Sequence, residues 1–424
     1  SCGAWPSARA GDGRDRPVIS AEDARAHVLA RVPLLAPTAV PLVDAVGCVT
    51  AEAVTAGDAI PSFDNTAMDG YALRAADVAL AREDAPARLE VIGTLAAGTS
   101  DRPEVGPGQA VRIMTGAPVP PGADAIVMVE LTDRDGADGV LVRAAVPEGN
   151  HVRRVGEDVA VGDVVVAEDT VLTPAHIGVL ASVGREAVTV RRPPRVGVLS
   201  TGDELVTAPA PMAFGQIRDS NRPMLLSDVA ASGFEAVNLG TVPDDEAVLT
   251  ATLAEAAATC DAVVTSGGVS VGDFDLMKQV LDTLGDMTWM QIAIRPAKPF
   301  AFGLVEGTPV FGLPGNPVSS LVSFELFARP ALRSMMGHPH LDRPRVQAVA
   351  DADLGRRPDG KTHFVRVVAD YRDGAFHVTP VGGQGSHHLA AMASANALAV
   401  VEDGDGVAEG ETLSVIPLDE VPAG

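Results

Sequence analysis

The chain has 424 residues, of which 46% are hydrophobic and 21% charged, with a formal net charge of −24. This length exceeds one ordinary core and predicts about three domains. The acidic charge argues against binding to nucleic acid or to an anionic membrane surface, and the 4% aromatic content argues against a base-stacking surface. No apolar run approaches the roughly 18 uninterrupted residues of a transmembrane helix.

The first sixteen residues and the cysteines indicate the cellular compartment of the protein. Residues 1–16 have no apolar segment of the kind found in secretory signals, so we expect a disordered tail. Cys2, Cys48 and Cys260 lie far apart, without the paired spacing of a disulfide framework or a zinc site. Together these features predict reduced thiols in a cytoplasmic protein.

The first 190 residues predict few helices and many short strands. Ser20 is a good N-cap, with Asp23 at the capping-box position of a first helix. A polar segment with apolar flanks follows at residues 64–70, and its alternative interpretation is an Asx-rich turn. Short β-like runs separated by Gly and Pro between about 88 and 146 predict a small all-β unit. Thr173 and Pro174 then predict the start of another helix.

After Pro193-Pro194 the pattern changes to alternating strands and helices. The predicted strands are residues 196–199, 236–239, 262–264, 300–304 and 309–312, and the predicted helices are residues 223–231, 244–258, 275–284 and one that begins at Pro317. This alternation predicts a mostly parallel α/β sheet domain with helices on both faces. From about residue 343 onward, alternating apolar and polar residues predict a compact β domain.

Two loops that follow predicted strands carry hydroxyls, glycines and acids. The loop at residues 200–204 supplies Ser200 and Thr201, followed by a glycine and two carboxylates. The loop at residues 265–275 contains the following site candidates: Gly267, Gly268, Ser270, Asp273 and Asp275. Glycines allow close approach of a ligand to backbone N–H groups, and paired carboxylates suit a divalent metal such as Mg²⁺. Asp273 and Asp275 are the predicted metal ligands.

Two further loops add positive charge and a helix start. Arg295 and Lys298 lie between prolines, and Asn316 is a credible N-cap with Pro317 at the first helical position. Ligands of open α/β sheets bind where the carboxyl ends of the strands meet. We therefore predict a phosphate and metal site at this edge.

Each of these features has an ordinary structural alternative. Asp219-Ser220 and Asp244-Asp245 stand where helix caps normally stand, and Lys298 alone would suit a surface loop. The pair His387-His388 lacks further ligands at metal spacing and is interpreted as structural or surface. Apart from the histidine pair, these residues occur together on one predicted sheet edge, which favours a binding site over the alternatives.

Eight motifs resemble those of the molybdopterin molybdenumtransferases, a family that shares its fold with the E domain of gephyrin. The motifs are residues 63–72, 112–120, 156–158, 200–205, 265–275, 298–303, 312–317 and 383–387. They occur in the order of the family across about 400 residues.

The resemblance implies an elongated homodimer built from four domains. The implied boundaries are a disordered tail at 1–16, an extended discontinuous domain at 17–60 plus 151–194, an inserted β domain at 61–150, an α/β anion- and metal-binding domain at 195–338, and a C-terminal β-barrel at 339–424.

The resemblance also implies the reaction. Adenylylated molybdopterin and molybdate give molybdenum cofactor and AMP, with Mg²⁺ as the cofactor. The adenylyltransferase of the preceding step and molybdoenzyme chaperones are expected as further partners, and nucleic acid and membranes are not.

The family roles map onto named positions. The implied catalytic residues are Asp69, Asp158, Glu204, Asp244, Asp275 and Lys298, and the substrate-binding residues carried over are Thr115, Arg295, Pro314, Pro317, Arg366 and Ser386. Ser200, Thr201, Gly267, Gly268, Ser270 and Asn316 join the substrate-binding set from their loops. In the family Asp69 faces the α/β edge of the partner chain.

Two positions depart from the family pattern. Gln291 and Arg295 stand where several relatives have lysine. Arg295 keeps the charge and adds a planar fork for anionic oxygens, whereas Gln291 loses the charge and is left out of the catalytic set. Two other functions stay open at this point: adenylylation of molybdopterin, and a non-catalytic scaffold like gephyrin.

Overall fold

The computed structural model describes residues 17–268 and 276–419. The chain divides into two compact units. The first comprises Ser1–Thr38, Gly47–Val49 and Arg191–Gly424, and the second comprises Ala39–Val46 and Thr50–Val190. The boundaries of the four domains that the resemblance implies stay a prediction.

The second unit is built around a six-stranded sheet. Its strands, in pairing order, are Thr132–Arg134, Gly139–Val142, Ala87–Leu95, Gln109–Ile113, Gly70–Leu73 and Ala125–Met128. Successive side chains point to opposite faces, so Tyr71 packs in one apolar cluster and Ala72 in another. Both faces are therefore covered, and the small β unit expected from the sequence is present.

The rest of the second unit is short elements. The strand pairs are Val54–Thr55 with Val164–Val166 and Asn65–Thr66 with Val152–Arg153. The helix Pro174–Ser182 begins as predicted, with Thr173 as its cap and His176 completing a capping box. Short 3₁₀ turns occur at Leu42–Asp44, Ala75–Val78 and Val129–Leu131. The short strands Thr38–Pro41, Val49–Thr50 and Ala187–Arg191 lie partly in this unit, since each has one terminal residue in the first unit.

The first unit contains a seven-stranded sheet. Its strands, in pairing order, are Val18–Ile19, Gly285–Ile292, Pro299–Val305, Thr308–Leu313, Ala262–Ser266, Arg195–Thr201 and Glu235–Val242. The last four are mutually parallel, and Pro299–Val305 is antiparallel to both of its neighbours. The sheet is mostly parallel, as predicted, but Gly285–Ile292 and Val18–Ile19 were not foreseen.

Two groups of helices cover this sheet. Glu246–Thr259 and Leu276–Leu284 pack together over a cluster that contains Leu199 and Val263. The other described helices that precede the barrel in this unit are Ala21–Leu29, Asn221–Ala231, Pro317–Ser323 and Arg329–Met335, with a π-helical turn at Phe324–Ala328 between the last two. Ser20 caps the first of them by accepting the Asp23 N–H at 3.0 Å. None of the helices among residues 17–268 and 276–419 has the length and apolarity to cross a membrane.

The C-terminal part of the first unit is a closed barrel of five strands. The strands are Val346–Ala350, Thr362–Arg372, Ala375–Pro380, Ala397–Val401 and Thr412–Pro417. Closure follows because Thr362–Arg372 pairs with both Ala375–Pro380 and Ala397–Val401. Ile294–Arg295 adds a short parallel strand beside it. The remaining elements are the helix Leu389–Ala393 and the strand pairs Leu205–Val206 with Ile217–Arg218 and Leu354–Gly355 with Gly406–Val407.

Candidate functional site

A buried carboxylate organises the carboxyl edge of the parallel strands. Asp219 Oδ2 accepts hydrogen bonds from Ser200 Oγ at 2.6 Å, Thr241 Oγ1 at 3.0 Å and Arg222 Nε at 2.9 Å. Burial alone would raise the pKa of Asp219, but these donors outweigh it and the pKa lies below its ordinary value. The ends of two strands and the first turn of a helix are thus joined through a single side chain.

Asn221 joins the next two strand ends to the same helix. Its Nδ2 donates to Ser266 Oγ and to Gly315 O, both at 2.7 Å. Gly267 follows Ser266 with φ of +93°, and a Cβ there would lie 3.2 Å from the carbonyl oxygen of Thr201. The structure therefore brings the three loops of Thr201, Gly267 and Gly315 together at one edge, as the sequence predicts.

Three carboxylates crowd beside this edge. The Asp244 N–H donates to Asp203 Oδ1 at 3.2 Å, and the Glu204 carboxylate folds back over Gly202. The pKa of Asp244 is raised by burial and then by the charges of Asp203 and Glu204. These like charges can be relieved by a proton or by a cation.

The loop that ends the strand Thr308–Leu313 supplies an open helix start. Asn316 holds the N-cap position and Pro317 the first helical position, but the Asn316 side chain makes no capping hydrogen bond. Pro314 is buried, and its carbonyl accepts the Ser320 hydroxyl. The Val318 N–H donates to the carbonyl of Ser386 at 3.2 Å, which places Ser386 against this turn.

Lys298 reaches the same edge because of an antiparallel strand. Pro299–Val305 runs opposite to Thr308–Leu313, so its start lies beside the end of that strand, where Leu313 leads into the glycine loop. Lys298 is exposed immediately before that start, and its carbonyl accepts the Ile292 N–H at 2.7 Å.

Arg295 belongs to a different surface. It is exposed on the short strand beside the barrel and lines a cavity of 530 Å³ together with Arg357, His363 and Gln384. Arg295 and Lys298 were predicted to serve the same edge, but Arg295 lines this barrel cavity, among residues that do not include Lys298.

Arg366 is a buried cation of the barrel with spare donors. It is 0% exposed, and its Nη2 donates to the carbonyls of Gly383 at 2.5 Å and Gly385 at 3.3 Å. Its Nε and Nη1 are buried and have no partner among the described residues. Burial lowers the pKa of Arg366. A buried guanidinium with two unused donor nitrogens favours an anionic partner.

The second unit holds Asp69, Thr115 and Asp158. Asp69 is exposed, and its Oδ1 accepts both the Thr115 N–H and the Thr115 hydroxyl at 2.7 Å. Asp158 is exposed, and its N–H donates to the carbonyl of Ile60 at 3.0 Å.

The polar segment that contains Asp69 is less open than its composition suggests. Asn65 and Thr66 are buried, and they pair with the strand Val152–Arg153. Asp64 accepts the Val155 N–H at 2.8 Å and pairs with Arg154 at 2.7 Å, and these contacts lower its pKa. Asp69 is therefore the one carboxylate of residues 64–70 that the fold leaves presented outward.

Ser270, Asp273 and Asp275 lie outside the described residues, so their predicted roles stay predictions. Gly268 is described and has φ of +72°, a backbone conformation that favours glycine. Within residues 17–268 and 276–419, no group of three His, Cys, Asp or Glu side chains has the arrangement of a metal site.

From the sequence, Asp219 counts among the polar residues of this edge with a helix cap as its alternative, but neither Asp219 nor Asn221 is among the predicted site residues. The Arg222 N–H does donate to Asp219 Oδ1 at 3.1 Å, so the cap interpretation is correct for one oxygen. The other oxygen, Oδ2, accepts the hydrogen bonds from Ser200 and Thr241 that join the two strand ends. A signal was present, because Arg222 in the first turn supplies a positive charge beside Asp219.

Family models match almost the whole chain. They are the MoeA N-terminal region (domain I and II) at residues 19–184, the probable molybdopterin binding domain at 197–334 and the MoeA C-terminal region (domain IV) at 348–418.

Individual relatives agree with these models. Molybdopterin molybdenumtransferase 2 of Mycobacterium tuberculosis is 43% identical over 89% of this chain and 94% of its own length. Molybdopterin molybdenumtransferase of Haemophilus influenzae is 38% identical over 95% of this chain and 100% of its own length. The crystal structure of the molybdopterin biosynthesis MoeA protein from Pyrococcus horikoshii superposes with a TM-score of 0.78 at 32% identity, covering 95% of this chain and 100% of that one.

Proposed function

This chain belongs to the molybdopterin molybdenumtransferase family, and from that premise we propose that it transfers molybdate into adenylylated molybdopterin with release of AMP at the edge organised by Asp219 and Asn221. The observation that carries the proposal is the convergence of the Thr201, Gly267 and Gly315 loops there. Small residues and backbone N–H groups at strand ends suit a nucleotide-like anion.

Positive groups supply the charge that an acidic protein needs to hold such a substrate. Lys298 stands at the sheet edge, and Arg366 offers two unpaired donor nitrogens, Nε and Nη1, in the barrel. Guanidinium and ammonium donors bind phosphate and molybdate oxygens through charge-assisted hydrogen bonds. No side-chain nucleophile is required, because positioning and charge neutralisation account for this kind of transfer.

Mg²⁺ fits the donors near this edge. Carboxylate oxygens are the ligands that Mg²⁺ prefers, and the crowding of Asp203, Glu204 and Asp244 is relieved by a nearby cation. Asp273 and Asp275 would hold the ion. When bound, Mg²⁺ supplies positive charge against the phosphoanhydride of the substrate.

We further propose a homodimer, in which Asp69 and Asp158 of one protomer complete the site of the other. Support comes from the family resemblance and from the outward presentation of both carboxylates.

The reaction is tested by mass spectrometry of adenylylated molybdopterin incubated with the protein and Mg²⁺. We expect AMP and molybdenum cofactor to form only when molybdate is added. A parallel incubation with ATP and free molybdopterin should consume no ATP. ATP consumption would instead indicate an adenylyltransferase, and the absence of product in both incubations would favour a non-catalytic scaffold.

The metal assignment predicts a loss of Mg²⁺ binding in Asp273→Asn and Asp275→Asn. We expect each variant to bind Mg²⁺ at least about tenfold more weakly in calorimetric titrations without substrate, because each removes a charged oxygen ligand. Asp286→Asn is the matched control, since that exposed carboxylate pairs with Arg31. Unchanged Mg²⁺ affinity in both variants would show that the ion is held elsewhere.

A further inference from the structure

The two hydrogen bonds from Thr115 to Asp69 use only one of the two carboxylate oxygens. Both donors of Thr115 go to Oδ1, and Oδ2 accepts no hydrogen bond from any described residue. An exposed aspartate normally samples several rotamers, and ordering it costs conformational entropy. The Thr115 N–H and hydroxyl therefore fix the carboxylate with one oxygen occupied and the other open.

The backbone on both sides of this contact is held by the sheet. Gly70 pairs with Ile113 on adjacent strands, and the Val129 N–H donates to the carbonyl of Asp69 at 3.1 Å. A Cβ at Gly70 would lie 2.0 Å from the carbonyl oxygen of Val127, so only glycine allows this close approach.

The loop of Thr115 is anchored in the same way. The Gly116 N–H donates to the carbonyl of Thr66 at 2.9 Å, and the Thr66 N–H donates to the carbonyl of Ala117 at 3.1 Å. The segments that contain Asp69 and Thr115 are thus held in one hydrogen-bonded arrangement, and this arrangement presents the Asp69 carboxylate to the outside.

We propose that Thr115 is a positioning residue that acts through Asp69, leaving Oδ2 as the oxygen available to the reaction. The role deepens the proposed function, on which its activity measurement rests. Direct substrate binding by Thr115 fits the geometry poorly. Its hydroxyl proton is already donated to Asp69, and the lone pairs that remain can only accept, whereas phosphate and molybdate oxygens need donors.

The same contacts keep Asp69 ionised. The pKa of Asp69 is lowered by the Thr115 N–H, then by the Thr115 hydroxyl, and further by the charge of Arg112. Removing the hydroxyl removes one of these contributions and should raise the pKa.

A double-mutant cycle separates positioning from direct binding. Thr115→Val is expected to lower kcat about tenfold with KM within about twofold, a loss equal to one charge-assisted hydrogen bond. Thr115→Ser keeps the hydroxyl and should restore most of kcat. In the Asp69→Asn background, Thr115→Val should cause little further loss. Additive losses, or a loss carried by KM, would overturn the positioning role.

A second measurement does not depend on turnover. Carbon-13 NMR of the Asp69 carboxyl in the substrate-free protein should show a higher pKa in Thr115→Val and an unchanged pKa in Thr115→Ser. Thr94→Val, at an exposed position of the neighbouring strand, is the matched control and should change neither pKa nor kcat. An unchanged Asp69 pKa in Thr115→Val would refute the inference. If the wild-type protein converts no adenylylated molybdopterin while the pKa responds as expected, the proposed function fails and the Thr115–Asp69 coupling stands.

Discussion

Asp219→Asn is expected to lower the free energy of unfolding by about 3–5 kcal/mol, because it removes the counter-charge of a buried guanidinium. The side chains of Asp219 and Arg222 are 1% and 10% exposed, so water cannot replace the lost partner. The amide also supplies one acceptor oxygen where the carboxylate serves Ser200 and Thr241 together with Arg222. Urea unfolding at constant m-value measures the loss.

The matched control is Glu235→Gln. Glu235 pairs with Arg195 at 2.7 Å, but the two side chains are 55% and 41% exposed. A solvent-exposed pair of this kind contributes below about 1 kcal/mol. If Asp219→Asn costs no more than Glu235→Gln, the carboxylate does not organise this edge. We also expect molybdenumtransferase activity to fall in Asp219→Asn at temperatures where the variant stays folded, since the ends of two strands lose their common anchor.

Helix starts could be predicted from the sequence because each cap involves only neighbouring residues. Ser20, Thr173 and Asn316 all stand at the N-cap positions expected for them. The absence of a side-chain hydrogen bond at Asn316 could not be foreseen. Whether a cap side chain bonds its own helix or turns away depends on contacts from distant parts of the chain.

The reversed direction of the strand Pro299–Val305 could not be predicted. Alternation of strands and helices favours parallel pairing, but Gly285–Ile292 and Pro299–Val305 enter the sheet as an antiparallel pair without a helix between them. The apolar pattern of these two strands is compatible with parallel and with antiparallel pairing. This reversal brings Lys298, which precedes a strand, to the edge where the other strands end.

Contacts between distant segments also decided which polar residues are available to a substrate. Ser200 was predicted to bind substrate from its position after a strand, and the structure shows that its hydroxyl is donated to Asp219. Thr66 lies in a polar segment and is fully buried through pairing with the strand Val152–Arg153. Composition identifies such residues as polar, and only the tertiary partner determines whether they serve the fold or the ligand.

A second carboxylate of the first unit, Asp228, is expected to make stability depend strongly on pH. Its Oδ2 is buried and has no hydrogen-bond partner among the described residues. Burial, and then the charge of Glu325, raise the pKa of Asp228 to about 7, against the opposing charges of Arg343 and Arg329. Asp419 also faces the group and adds to the rise.

The sign of the effect follows from proton binding. The folded state keeps Asp228 protonated up to about pH 7, whereas the unfolded chain releases this proton near its ordinary pKa of about 4. Between these two pKa values the folded state binds more protons than the unfolded state. The contribution of Asp228 to the free energy of unfolding is therefore largest below about pH 4 and is lost as the pH rises toward 7. Each pH unit in this window corresponds to about 1.4 kcal/mol.

Asp228→Asn should remove this dependence, because an amide of the same shape stays neutral. We expect the variant to gain about 3 kcal/mol relative to the wild type between pH 5 and pH 8, measured as the difference in urea unfolding free energy at each pH. Asp405→Asn, at an exposed turn of the same unit, should show no such trend. A difference between Asp228→Asn and wild type that stays constant across this range would mean that Asp228 is ionised in the folded protein. The charges of Arg343 and Arg329, which lower the pKa of Asp228, would then outweigh burial and the charge of Glu325.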